Sequence, residues 1–76
     1  MLVIELRSAS DALSDVRAKL QEYLENGLQL GWLINPQDQQ VEIYRSDQTV
    51  EILNAPTELL ADPVLPGFRF NLTEIL

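Results

Sequence analysis

A chain of 76 residues with no cysteine and no histidine has to fold on packing alone. Chains this short bury a small share of their surface, and most lean on disulfides or a structural metal. Cross-links need cysteine and the usual zinc cages need cysteine or histidine, so both are excluded. What remains is a small, well-patterned core, association with a second chain, or membership of something larger. The same two absences remove a thiolate nucleophile, an imidazole base and a serine–histidine triad. With 46% apolar and 22% charged residues, the composition is that of one folded domain over residues 1–76.

No apolar run approaches the roughly 20 residues of a membrane span. The start, Met1 to Glu5, is charged too early for a signal peptide, so a cytoplasmic protein without membrane contact is expected. Twelve acids against five bases give a net charge of −7. Up to Leu20 the charges cancel, with Glu5, Asp11 and Asp15 against Arg7, Arg17 and Lys19. All of the excess lies beyond, where only Arg45 and Arg69 are basic. Phosphate contacts supply most nucleic-acid affinity, so a chain with this balance is a poor candidate to grip DNA alone.

Hydrophobic periodicity orders the chain. Met1–Leu6 reads as a buried strand, with Leu2, Ile4 and Leu6 on one face and Val3, Glu5 and Arg7 on the other. Ser8-Ala9-Ser10-Asp11 is turn and N-cap chemistry, and residues 11–26 then predict a helix. Its stripe is Leu13, Val16, Leu20, Tyr23 and Leu24, Asp15 and Lys19 sit at ion-pair spacing, and Asn26-Gly27 closes it. Leu28–Asn35 is a second strand, parallel to the first through the helical crossover, and Trp32 and Tyr23 are expected in the core. Val41–Arg45 and Thr49–Leu53 alternate as a hairpin with one wet face, on which Tyr44 is expected. Pro56, Pro63 and Pro66 punctuate a looser tail, and Phe68, Phe70 and Leu72 alternate as a last short strand. The fold class is α/β (α+β), a small mixed sheet with one helix. One helix covers one face, yet the first two strands are apolar on both. A second copy of the chain, or a further segment, is therefore expected to cover the other face or pair the sheet edge.

The chemistry worth testing is Glu5 with Arg7 and Lys19. A carboxylate that binds a hard divalent cation, with an ammonium beside it, is how phosphodiester hydrolysis is organised. Lys19 lies on the flank of the apolar stripe, from which its side chain can reach back to the sheet. On residue types alone, Glu5 and Lys19 read first as a structural ion pair. Asp11 and Asp15 are readable as acids complementing the helix dipole.

Val3-Ile4-Glu5-Leu6-Arg7-Ser8 with Asp11, then Lys19 with Gln21-Glu22-Tyr23 and Gly27, form the first part of a longer ordered pattern. Gly31-Trp32-Leu33-Ile34-Asn35-Pro36, Val41-Glu42-Ile43-Tyr44-Arg45 and Val64-Leu65-Pro66-Gly67-Phe68 complete it. The pattern resembles the C-terminal half of the Uma-type restriction endonucleases, within the PD-(D/E)XK nuclease-like superfamily. The resemblance implies a metal-dependent nuclease core in which Glu5 is the metal-binding acid on the second catalytic strand. Arg7 stands where classical members keep a lysine, Lys19 matches a helix lysine common in the family, and Asp11 matches a structural acid. The family's catalytic aspartate is expected upstream of Met1, Ala9 stands in place of a proline, and Asn35 in place of an aspartate. These departures imply a truncated member, non-catalytic alone, that associates with itself or with a full-length paralogue. The alternative is an endonuclease that uses Mg²⁺ or Mn²⁺ and meets DNA once a partner chain completes it.

Overall fold

Strand alternation places apolar side chains on both faces of a central sheet, and one helix and the C-terminal tail divide the task of covering them. The computed structural model describes all 76 residues, in the order β1 (Leu2–Leu6), α1 (Leu13–Glu25), β2 (Leu30–Asn35), β3 (Gln40–Arg45), β4 (Val50–Asn54), β5 (Glu58–Leu60) and β6 (Arg69–Asn71). The first four strands form a sheet in the order β1-β2-β3-β4, with β1 parallel to β2 and the rest antiparallel. The last two form a separate antiparallel pair. The mixed sheet and single helix are as expected.

Helix α1 turns Val16, Leu20 and Leu24 onto one face of the sheet, where they bury Leu28, Leu33 and Tyr44. It can lie close because β2 carries Gly31 beneath it, where an added Cβ would stand 2.9 Å from Leu28 and 3.0 Å from Leu20. Its C-terminus is closed as read: Gly27 has φ +95° and the Leu28 amide donates to the Tyr23 carbonyl. Its N-terminus is not. Ala12 occupies the capping position with no side-chain hydrogen bond, while Asp11 turns back to accept from the Ser8 amide. Tyr23 stays 38% exposed on the flank of the stripe and is not core.

The expectation of an uncovered second face is corrected. Residues of the tail, Leu59, Ala61 and Leu72, are buried against Leu30, Trp32, Ile34, Val41 and Ile43. Trp32 is fully buried as expected, with Phe68 stacked at 6.3 Å and Phe70 edge-on at 6.1 Å. The pairing of β5 with β6 gives the tail the regularity it needs to act as a second layer. What stays open is local. Ile4 and Leu6, on the tail side of the outer strand β1, are 36% and 56% exposed.

The hairpin also departs from its expected form. Val41 to Tyr44 are all buried, so β3 has no wet face. Tyr44 lies beneath α1 instead of on the surface. The wet face belongs to β4, where Val50 and Ile52 are exposed.

Candidate functional site

Strand register sets out the polar groups on the helix side. Glu5 pairs with Leu33, and Leu33 with Glu42, so the two acids flank a fully buried leucine in one row. They stand two strands apart, about 10 Å. Arg17 and Lys19, two residues apart on α1, project to opposite flanks of the helix. Each reaches one of these acids.

The inner pair is sealed. Arg17 donates from Nε and Nη2 to Glu42 at 2.6–3.2 Å, and the Tyr44 hydroxyl donates to Glu42 Oε1 at 2.7 Å. The Glu42 side chain is 2% exposed. Burial pushes its carboxyl up, but the bonds from Arg17 and Tyr44 outweigh burial and hold it below the usual glutamate range. Burial, then the bond to Glu42, drives the Tyr44 phenol upward. The Glu42 bond keeps Arg17 even more firmly charged. With its lone pairs engaged by four hydrogen bonds from three donors, Glu42 is a fastening and not a reagent.

The outer pair is open. Lys19 Nζ lies 4.0 Å from Glu5 Oε2, with side-chain exposures of 54% and 23%. That distance is a Coulombic contact without a hydrogen bond. The structure therefore brings together Glu5 and Lys19, two of the three residues singled out in the sequence. Lys19 turns to the sheet, and no ion pair with Asp15 forms.

Arg7 goes elsewhere. Its guanidinium donates to the Asp11 carbonyl at 3.2 Å and to Asn35 Oδ1 at 3.1 Å, and it lies 3.6 Å from Asp38. Asn35, fully buried, passes the link on by donating from Nδ2 to Asp38 at 2.9 Å. An aspartate at position 35 could accept from Arg7 but could not donate to Asp38, so the amide suits this link. Arg7 thus ties the end of β1 to the helix entry and to the β2–β3 turn. Asp11 is structural in the same way, its carboxyl held below the usual range by bonds from Ser8.

The Glu5–Lys19 arrangement supplies one oxygen ligand and one cation. Mg²⁺ is held by one or two carboxylates with waters and substrate oxygens. No group of three or more acids, histidines or cysteines assembles anywhere in the chain. Glu5 is the one carboxylate beside Lys19, so waters, substrate oxygens or a further carboxylate would have to complete a divalent ion's shell there. Glu42 was passed over in the sequence because Val-Glu-Ile-Tyr-Arg has the same alternation whether its polar side meets water or a helix flank. Its only signal is an arginine on α1 opposite to Lys19.

The crystal structure of a putative nuclease belonging to DUF820 from Anabaena variabilis ATCC 29413 is similar to this chain, with a TM-score of 0.70 and 33% identity. The match covers 83% of this chain and 35% of that one, so these 76 residues span about a third of that nuclease's length. A comparison with curated proteins gives no match. No helix is long and apolar enough to cross a membrane. The family model of the Uma2 putative restriction endonucleases matches residues 1–73, nearly the whole chain. Together with the nuclease-like sheet and helix, that match makes this chain a member of the Uma2 family.

Proposed function

We propose that this chain carries half of a nuclease centre, is silent in phosphodiester hydrolysis by itself, and works by associating with a second chain. The partner is another copy or a full-length relative. One observation carries the reading: Glu5 and Lys19 meet at 4.0 Å, and no group of three or more acids gathers around them. In such a half-site Glu5 would offer an oxygen to a divalent cation, whose chemistry when bound is to polarise a phosphate and activate a water. Lys19 would steady negative charge building on that phosphate. Both groups sit beside the outer strand β1, where a second chain has room to add what is missing.

A second reading is favoured by Glu5, whose carboxylate accepts no side-chain hydrogen bond and meets only Lys19, at 4.0 Å. Here the second chain completes a metal-dependent DNA endonuclease that uses Mg²⁺ or Mn²⁺. With a net charge of −7 on this chain, DNA binding in this reading would need cations supplied by the partner. Incubation of plasmid DNA with the purified chain, alone and mixed with a full-length relative, in millimolar Mn²⁺, wild type beside Glu5→Ala, separates the two. Intact plasmid with both proteins is expected. Nicking by wild type that Glu5→Ala abolishes would replace the first reading with the second.

A further inference from the structure

Asn26 and Gly27 close α1, and they also form the one asparagine–glycine step in the chain. Such a step has a chemistry of its own. The backbone nitrogen after the asparagine can attack the side-chain amide carbon, and a glycine, without a Cβ, leaves the approach clear. The other asparagines lack this opening, since Asn35 precedes proline, Asn54 alanine and Asn71 leucine. Asn26 and Gly27 are exposed, and a Cβ on Gly27 would meet nothing within 4 Å, so solvent reaches the step freely. The helix end nevertheless engages both groups that would react. Asn26 Nδ2 donates to the Glu22 carbonyl at 2.9 Å, and the Gly27 amide donates to the Leu24 carbonyl at 3.1 Å. With ψ of Asn26 at 18°, the Gly27 nitrogen is turned away from the side chain that it would attack. Ring closure therefore needs this peptide to rotate, which breaks the Gly27–Leu24 bond and the 3.0 Å bond from the Leu28 amide to the Tyr23 carbonyl.

We propose that Asn26 is a self-modification site, latched by the helix cap and released when the end of α1 frays. In the frayed state the Gly27 nitrogen bonds to Asn26 Cγ and gives up its proton to water. The Cγ–Nδ2 bond breaks, and Nδ2 takes up a proton and leaves as ammonia. The succinimide so formed adds one water at either ring carbonyl and reopens as aspartate or isoaspartate at position 26. Neither product fits the cap. A carboxylate has no proton to donate to the Glu22 carbonyl. Its charge joins Glu22 and Glu25 at a helix end whose last turn holds no basic residue, where the aligned peptide dipoles already concentrate negative charge. Isoaspartate also lengthens the main chain at the point where the Leu28 amide must return to the Tyr23 carbonyl. Leu28 is 3% exposed and belongs to the cluster beneath the helix, so a change on the surface passes directly into the core.

Peptide mass spectrometry of the purified chain, held in mildly alkaline buffer, follows the exchange of ammonia for water at position 26. The folded chain is expected to react about tenfold more slowly than the same chain unfolded in urea, because only the frayed fraction is open to attack. Leu28→Ala loosens the cap from beneath and leaves the asparagine–glycine step intact, so its folded rate should move toward the unfolded one. Circular dichroism checks that this variant folds, and wild type in urea below its unfolding midpoint makes the same comparison if it does not. Asn26→Asp, which installs one of the two products, should lower the melting temperature by a few degrees. A folded chain that reacts as fast as the unfolded one would overturn the latch. Earlier ammonia loss from Asn54 or Asn71, or none at position 26 in the unfolded chain, would overturn the site itself. An unchanged melting temperature in Asn26→Asp and in the isolated isoaspartyl form would overturn the link to the core.

Discussion

At the scale of single residues, two ion pairs on one face differ in kind. Arg17 with Glu42 is buried on the acid's side and fully bonded, whereas Lys19 with Glu5 is a long, wet contact. Arg17→Ala leaves a buried carboxylate without its counter-charge. Because Arg17 is itself 47% exposed and water can enter where it leaves, the expected cost is roughly 2–3 kcal/mol, at or below the low end for a broken buried pair. Lys19→Ala should cost about 0–1 kcal/mol, and urea unfolding of the two variants gives the comparison. The acid limb of stability follows from the lowered Glu42. A glutamate held below its unfolded value of about 4.3 contributes stability that is present above that pH and is lost as pH falls through the lower folded value. Melting temperature is therefore expected to drop on acidification below about pH 4, and the drop should be shallower in Glu42→Gln, which starts lower at neutral pH. A Glu42→Gln curve parallel to wild type would show that other acids carry the acid limb.

The Glu5–Lys19 meeting was legible in the sequence, because a strand acid and a flanking helix lysine at that spacing have one sheet surface to share. The dedicated use of Arg7 was not. Its partners are a carbonyl of the helix entry and an amide and an acid near the β2–β3 turn, none of which has a periodicity to announce it.

Between elements, the helix is the best-specified part and also the easiest to improve. The stripe and the glycine at its end were readable because a 3.6-residue period and a left-handed closing residue are local properties. Its start lies two residues later than the sequence predicts, at Leu13, since Ser10 and Asp11 advertise capping while the chain turns once more before the helix begins. Ala12→Ser or Ala12→Asp supplies the missing acceptor, and a gain of about 0.5–1 kcal/mol is expected. In a domain this small such a gain raises the melting temperature by a few degrees. Gly31→Ala tests the opposite limit. A methyl group at 2.9–3.0 Å from Leu28 and Leu20 has to lift the helix or rotate both leucines, at an expected cost of roughly 1–3 kcal/mol. Unchanged stability in this variant would show that the leucines yield freely.

For the molecule as a whole, the C-terminal tail decides whether the sheet face around Trp32 has a core. The four-stranded sheet was legible from alternation and turn residues. The tail was not, because prolines broke its pattern into apolar fragments whose common destination, the face around Trp32, is set by tertiary packing. Leu72 is fully buried there, and its amide donates to the Thr57 carbonyl at 2.9 Å. Leu72→Ala should cost about 2–5 kcal/mol, enough to unfold much of a population whose whole stability is of order 5 kcal/mol. Loss of the cooperative thermal transition, followed by far-ultraviolet circular dichroism, is the expected result.

The sealed Arg17–Glu42–Tyr44 fastening and the open Glu5–Lys19 contact share a helix but no atoms. In the proposed reading, fold maintenance and chemistry thus rest on different residues, Arg17 and Lys19, of the same helix. A lineage released from selection for hydrolysis could exchange Glu5 and Lys19 freely while still being held to Glu42 and Arg17. The same division makes the chain a scaffold on which the outer pair can be rewritten without redesigning what lies beneath it.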